Sequence, residues 1–383
     1  MVSKDMRKED MLRAISHCAK CKLCSIADFH SSGEEWLPIC PSGMHYKFQT
    51  FYSPGRLEVL REVVEGNISS KSDALLKVVY ACTLCGSCYE RCKKITKVEL
   101  DHTELFEELR VLCKERGWIS DVHKGISKKI ADTHNAYGET SSTLNLQYNL
   151  NGDILYFIGC TSKYREVEIA NAMLEILKNT GINFAVMDEW CCGSPLIRTG
   201  QIDQAKEVMN HNIALIKENG FKSIVFTCPG CMMTFKKNYP DLGVNLLHSS
   251  EFINQQINEG NLSIEYLDDM SLTYHDPCHL GRHLGIYEEP RKTLENIGVK
   301  IKEMKRFKSN SWCCGAGGGV KSAFKDFAEW SGKKRIEEAK SIGVNNIITA
   351  CPFCKRNLMD AANGDFKIYD IAEIVNIACK YKG

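Results

Sequence analysis

SIVFTCPGC (Ser223–Cys231) and NIITACPFC (Asn346–Cys354) are one element written twice, a short apolar strand running into a cysteine-bearing turn. Moving outward, DILYFIGC (153–160) and INFAVMD (182–188) read as two more strands. Between them Val167, Ala170, Leu174 and Leu177 mark one face of a helix that stops near Gly181. Ile202, Ala205, Met209, Ile213 and Ile216 mark another, ending at Gly220. Strands alternating with helices predict an α/β unit. The unit then repeats: Cys278, Cys313 and Cys351 follow Cys160, Cys191 and Cys228 by 118, 122 and 123 residues. Gly343 follows Gly220 by 123. Two copies are too few for a solenoid, so the reading is a duplicated α/β domain.

Each copy also contains adjacent cysteines, in EWCCGSP (189–195) and SWCCGAGGG (311–319). Neighbouring cysteines strain a disulfide and fit poorly on one tetrahedral zinc, whose sites draw on C-x2-C pairs. Both copies carry five cysteines in one order, Cys160, Cys191, Cys192, Cys228, Cys231 and Cys278, Cys313, Cys314, Cys351, Cys354. With parallel strands, all of these would fall on one edge of a sheet, where α/β proteins assemble their sites. Five thiolates exceed the need of one cubane, and Gly193 and Gly315 would let the backbone approach a large inorganic cluster.

The 383 residues contain twenty cysteines, with 49 basic and 48 acidic side chains for a net charge of +1. That balance gives no global pull toward nucleic acid. The charged N-terminal stretch MVSKDMRKEDMLRAISHC reads as an amphipathic helix rather than an export signal, and no run approaches the about 20 apolar residues that span a bilayer. A reducing cytoplasm is the expected setting, and there clustered cysteines mean metal. The polar stretch THNAYGETSSTLNLQYNLNGD (133–153) reads as a linker or a long surface connection.

Before it, Cys82, Cys85, Cys88 and Cys92 are spaced C-x2-C-x2-C-x3-C, as in ferredoxins that hold [4Fe–4S] clusters. Cys18, Cys21 and Cys24 supply a second triplet, with Cys40 as its distant fourth cysteine. The usual crossing puts Cys92 with Cys18, Cys21 and Cys24, and Cys40 with Cys82, Cys85 and Cys88. Fifteen residues separate Cys24 from Cys40, and Lys93 stands where proline is usual. That insertion either alters cluster exposure or forms a surface loop. Paired structural zinc sites are the competing reading, though zinc ligands come in pairs rather than evenly spaced triplets. Helical stretches between the triplets predict an α-helical module.

The five-cysteine order resembles the CCG cysteine-rich domain. That domain occurs in the B- and D-type subunits of heterodisulfide reductase and in iron–sulfur subunits of glycolate and lactate oxidases. The C-type subunit of anaerobic glycerol-3-phosphate dehydrogenase carries it too. A ferredoxin module followed by two CCG domains resembles the D-type subunit of heterodisulfide reductase over nearly the whole chain, including YSPGRLEVLREVVEG (52–66). The resemblance implies an α-helical ferredoxin-like domain at 1–148 and CCG domains at 149–266 and 267–383. It implies four [4Fe–4S] clusters, two cubane in the first domain and two noncubane in the CCG domains, where a disulfide is cleaved. It implies a redox partner subunit (a flavoprotein, a ferredoxin or a membrane b-type cytochrome), with any membrane association through that partner. Two functions stay open: thiol/disulfide redox catalysis, or electron relay for a flavin-dependent dehydrogenase acting on a 2-hydroxy acid, glycerol 3-phosphate or an acyl-CoA.

Around Cys278, His275, Asp276, His279, Arg282 and His283 gather, whereas Cys160 has only Lys163 and Arg165. His275, His279 and Arg282 are accordingly candidate catalytic residues, orienting an anionic thiol or donating a proton, or else hydrogen-bonding to cluster sulfurs. Trp190 and Trp312 read as packing or cluster shielding, Cys113 and Cys379 as buried apolar residues, and Arg198 as one half of a surface ion pair. GAGGG (315–319) follows cysteines and lacks the context of a dinucleotide fingerprint.

Overall fold

Short strands joined by helical crossovers pair in parallel, because each crossover returns the chain to the same end of the sheet. In the computed structural model, residues 7–27, 36–267 and 270–379 are described. Strands β1 (Ile154–Phe157), β2 (Phe184–Ala185), β3 (Ser223–Phe226) and β4 (Asn245–His248) form a parallel sheet in the order β2-β1-β3-β4. Strands β5 (Ser271–His275), β6 (Lys300–Ile301), β7 (Asn346–Thr349) and β8 (Lys367–Asp370) repeat it as β6-β5-β7-β8. Register repeats too: Tyr156 pairs with Val225 in one sheet and Tyr274 with Ile348 in the other.

The fourth strand of each copy is absent from the sequence reading. Each leads directly into a helix through a matching cap. His248 caps Ser249–Asn258 and Asp370 caps Ile371–Ala378, and in both the third helical residue, Glu251 or Glu373, accepts from the cap's own N–H.

The two copies share one apolar core, in which Tyr156, Ile169 and Phe252 meet Tyr274, Leu294 and Val375. Helix Val167–Thr180 packs on Ile371–Ala378, and Ser249–Asn258 packs on Glu288–Asn296. Each pairing joins a helix that follows a first strand to one that follows a fourth, the reciprocity of a local two-fold. Across it the buried Lys355 ammonium lies 3.2 Å from Glu166 and 2.8 Å from Glu373.

The N-terminal module is helical, with Lys8–Ser16, Pro41–Tyr46, Ser53–Glu65, Asp73–Tyr80, Ser87–Thr96, His102–Glu115 and Asp121–Thr133. Its core contains Ile15, Leu57, Leu60, Val79, Leu105 and Leu109. Cys113 is buried there, and Cys379 in the shared core, as expected of apolar residues. Within the long Cys24–Cys40 insertion, 28–35 lie outside the described residues, and Ile26 bridges to Pro38. Segment 133–153 lies along the first sheet. Leu144 is buried, and Asn149 exchanges both backbone hydrogen bonds with Val186. No helix among the described residues is long and apolar enough to cross a membrane.

Candidate cysteine-ligated metal centres

Parallel strands bring their carboxyl ends to one edge, and there the cysteines collect. Cys160 follows β1, Cys191 and Cys192 follow β2, and Cys228 follows β3; Cys278, Cys313 with Cys314, and Cys351 repeat the placement after β5, β6 and β7. In the second copy the Cys314 and Cys354 sulfurs are 3.3 Å apart, and the Cys354 N–H donates to the Cys351 sulfur at 3.4 Å. In the first, Cys191 contacts Cys160 and Cys192, and Cys192 contacts Cys231, which contacts Cys228. Cys228 also touches Cys351. The two sets of five thiols are therefore continuous. Gly315, at φ +101, abuts helix Lys325–Ser341: a Cβ there would stand 2.7 Å from the Ala328 carbonyl oxygen. Gly193 is also left-handed, at φ +89, beside Met209.

In the helical module Cys40, Cys82, Cys85 and Cys88 line one small cavity together with Cys24. Cys18 has Cys92 and Cys21 as neighbours. Cys40 caps Pro41–Tyr46, accepting from the Gly43 N–H at 3.5 Å. Burial pushes the Cys40 thiol up to about 12 and raises those of Cys24 and Cys88 as well, with neighbouring cysteines acting in the same direction. Sulfurs so crowded ionise together only around a multivalent cation, and the ionised thiolate is the ligand form. The donor set thus fits iron–sulfur clusters, with the eight cysteines here and the ten at the sheet edges as the residues available to hold them.

Module and sheet edge meet at these sites. The thiols of Cys85, Cys278 and Cys313 pack together. Arg282 donates to the carbonyls of Cys85 at 2.8 Å and Ser311 at 2.7 Å, and a His283 ring nitrogen lies 3.0 Å from the Leu84 carbonyl oxygen. Gly318 comes so close that a Cβ would stand 2.5 Å from the Cys82 carbonyl oxygen. GAGGG is therefore the surface on which the helical module sits. Arg198, expected in a surface pair, is instead 3% exposed and pairs with the buried Glu107 between module and sheet.

His275, at the end of β5, is fully buried; its Nδ1 accepts from Arg335 Nε at 3.1 Å. One ligand atom each from His275, Cys314 and Cys354 fall within 4.8 Å of one another. The His279 and His283 rings stack at 5.1 Å, and the buried Nε2 of His279 has no hydrogen-bond partner among the described residues. All five cysteines of this second copy are buried.

Only in the first copy do cysteines at the edge, Cys160 and Cys228, keep partial exposure. Beside Cys160 opens a cavity of about 470 Å³, lined among others by Tyr148, Lys163, Tyr164, Glu189 and Trp190. Segment 133–153 forms one wall: Tyr137 Oη is 3.0 Å from Thr161 Oγ1, and Lys163 donates to Tyr148 Oη at 3.1 Å. Glu189 accepts from the Gly159 N–H at 3.2 Å, and its other oxygen, buried, has no hydrogen-bond partner among the described residues. Burial raises the Glu189 carboxyl to about 7. Trp190 is stacked between His134 at 3.6 Å and His211 at 4.0 Å, while Trp312 is buried and donates to the Ser331 carbonyl. The sequence reading placed polar chemistry beside Cys278 and did not identify this cavity. Its signal was the polar run at 133–153, whose partner in space sequence spacing does not reveal.

The cysteine-rich domain model matches residues 154–236 and 272–359, and a 4Fe-4S dicluster domain model matches 14–95. The D-type subunit of the dihydromethanophenazine:CoB--CoM heterodisulfide reductase of Methanosarcina acetivorans is 37% identical over 318 residues, covering 78% of this chain and 77% of that protein. The B-type subunit of the fumarate reductase (CoM/CoB) of Methanothermobacter marburgensis is 37% identical over 78% of this chain and 61% of its own length. EtfAB:quinone oxidoreductase of Syntrophomonas wolfei is 30% identical over 58% of this chain and 34% of its own. A hypothetical protein from Helicobacter pylori shares the fold, with a TM-score of 0.57 at 11% identity over 98% of this chain and 76% of that one.

Proposed function

The chain belongs to the family of heterodisulfide reductase D-type subunits, CCG-domain iron–sulfur oxidoreductases, and on that premise we propose that it carries out thiol/disulfide redox chemistry on a small disulfide. In the reducing direction one disulfide takes up two electrons and two protons and leaves as two thiols. The observation that supports this most is the unbroken line of cysteine contacts, from Cys85 on Cys313, through Cys314, Cys354 and Cys351 to Cys228, and on to Cys160 at an open cavity.

We assign the helical region, 1–148, two cubane clusters: one on Cys18, Cys21, Cys24 and Cys92, the other on Cys40, Cys82, Cys85 and Cys88. The regions 149–266 and 267–383 hold one noncubane cluster each, on their five cysteines. When bound, these groups supply one-electron transfer and iron that accepts sulfur. The chain's own residues do the rest. Arg282 holds the junction loop by its carbonyls, and His275 and Arg335 brace the buried second site. His279, with its unpartnered buried nitrogen, remains the candidate donor to a sulfur between the two sets. Lys163 and Tyr148 position substrate in the cavity beside Cys160. The protein works in a reducing cytoplasm, beside a redox partner.

Separate substitution of Cys192 and Cys314 by serine tests this. Disulfide reduction driven by an artificial one-electron donor should be lost in both, with the helical module's clusters intact, because loss of either set removes the proximity on which cleavage depends. Retained reduction in either variant would refute it. The relay alternative is favoured by one observation, the likeness to EtfAB:quinone oxidoreductase over 58% of this chain. It predicts no disulfide reduction by the wild type.

A further inference from the structure

The two cysteine triplets of the helical module share one backbone. Lys20 at φ 57 and Lys22 at φ 64 match Leu84 at φ 52 and Gly86 at φ 71, so Cys21 is the counterpart of Cys85. In the second triplet this loop is an interface. Leu84 is 2% exposed, Cys85 packs on Cys278 and Cys313, and His283 and Arg282 engage the carbonyls of Leu84 and Cys85. The first triplet presents the same loop to solvent: Ala19, Lys20, Cys21 and Lys22 are all exposed.

Two residues there are lysines in the left-handed region, each costing on the order of 1 kcal/mol where glycine would cost little. Lys93, Lys94 and Lys97 are exposed as well and flank Cys92, a neighbour of Cys18. Glu58 pairs with Lys20 at 3.2 Å and Glu99 with Lys93 at 2.9 Å, while Lys22 sits over the Tyr52 ring at 4.2 Å. With Glu90 counted, the side chains named around this loop are five lysines against three glutamates, in a chain whose net charge is only +1.

We infer that the Cys18–Cys24 loop is a docking face for a small acidic electron-carrier protein of the ferredoxin type. It meets that partner as the Cys82–Cys88 loop meets the sheet edge within the chain. Each encounter oxidises the carrier by one electron and reduces the centre held by Cys18, Cys21, Cys24 and Cys92 by one. No bond is made or broken. The inference rests on the proposed cluster assignment. Attraction of this kind acts over about a Debye length, roughly 10 Å at 0.1 M salt, so it should weaken as salt rises.

The test is direct binding of a small acidic [4Fe–4S] ferredoxin to the iron-loaded full chain, by calorimetry at low and at high salt. Lys20→Gly with Lys22→Gly should weaken binding roughly tenfold, the loss expected when two charge contacts of an interface are removed. The same double variant relieves backbone strain, so its Tm should hold or rise, which separates docking from folding. Lys93→Glu, on a regular helix, should weaken binding too. Iron content and the low-temperature spectrum of the reduced protein report the clusters independently. If those are absent, the cluster assignment fails and the inference falls with it. Clusters present with binding indifferent to both variants and to salt would overturn the docking face alone. So would phosphatidylserine vesicles that bind the chain and displace the carrier, since the basic face would then be a membrane contact.

Discussion

Arg110 and Gly318 are 208 positions apart in sequence, yet Arg110 Nη1 donates to the Gly318 carbonyl at 2.8 Å. The same nitrogen donates to the Arg198 carbonyl at 2.6 Å, and Nη2 to the Cys82 carbonyl at 2.7 Å. One guanidinium, 0% exposed, thereby holds the helical module against both copies of the α/β unit. With longer bonds to the Val79 and Tyr80 carbonyls, its planar fork satisfies five carbonyls that a lysine's single ammonium could not reach together.

Replacing Arg110 should therefore uncouple the parts. Arg110→Met leaves several buried carbonyls unpaired and should cost about 3 kcal/mol, read as a lower Tm. Arg110→Lys should recover little of it. In a surviving fraction, electron passage from the helical module to the sheet-edge centres should slow. A lysine variant with wild-type Tm would show that charge alone is needed.

The contact between the copies rests on another buried cation. Lys355→Met leaves Glu166, 2% exposed, largely stranded, with only the half-exposed Arg356 at 3.6 Å, and should cost about 3 kcal/mol. Adding Glu166→Gln should return part of that loss in denaturant unfolding, because the stranded charge is gone. An additive double variant would disprove the coupling.

Gly318→Ala tests the docking of module on sheet edge. With φ +64 and a Cβ 2.5 Å from the Cys82 carbonyl oxygen, alanine should force the surfaces apart at a cost on the order of 1–3 kcal/mol. Gly364→Ala, also left-handed at φ +91 but with open space around its Cβ, should cost only the backbone term. Equal losses in Tm would mean that contact plays no part.

The strands around SIVFT and NIITA, their helices and the order of the cysteines were legible because hydrophobic period and spacing are local properties. β4 and β8 were not: NLLH and KIYD are four residues long, half-buried and without a cysteine to mark them. The DIAE cap after β8 was the available signal. Contacts such as Cys85 on Cys313 join distant segments; Gly315 reads in sequence as room for a cluster, whereas the Ala328 carbonyl lies against it and the Cys82 carbonyl against Gly318, approaches that spacing does not reveal. Arg198 was misplaced at the surface because composition does not tell a buried ion pair from an exposed one; Glu107 lies ninety-one positions away. Segment 133–153 looked like a connector and is also a wall of the cavity.

Removing one cysteine at the internal junction should be selective. Cys85→Ser should lower iron from about sixteen per chain by about four, since each proposed centre has four irons. The sheet-edge centres should assemble as before, because their ligands lie on other elements. Loss of all iron from a still folded Cys85→Ser protein would contradict the division into separate centres.

The most direct measurement is stoichiometric. The fully reduced, iron-loaded protein is mixed anaerobically with small disulfides, and its reoxidation is followed by absorbance while released thiols are counted. The account predicts one disulfide consumed and two thiols released for every two electrons lost, with the rate sharply reduced in Cys160→Ser. Reduced protein that no disulfide reoxidises, but that a flavoprotein partner reoxidises rapidly, would contradict it.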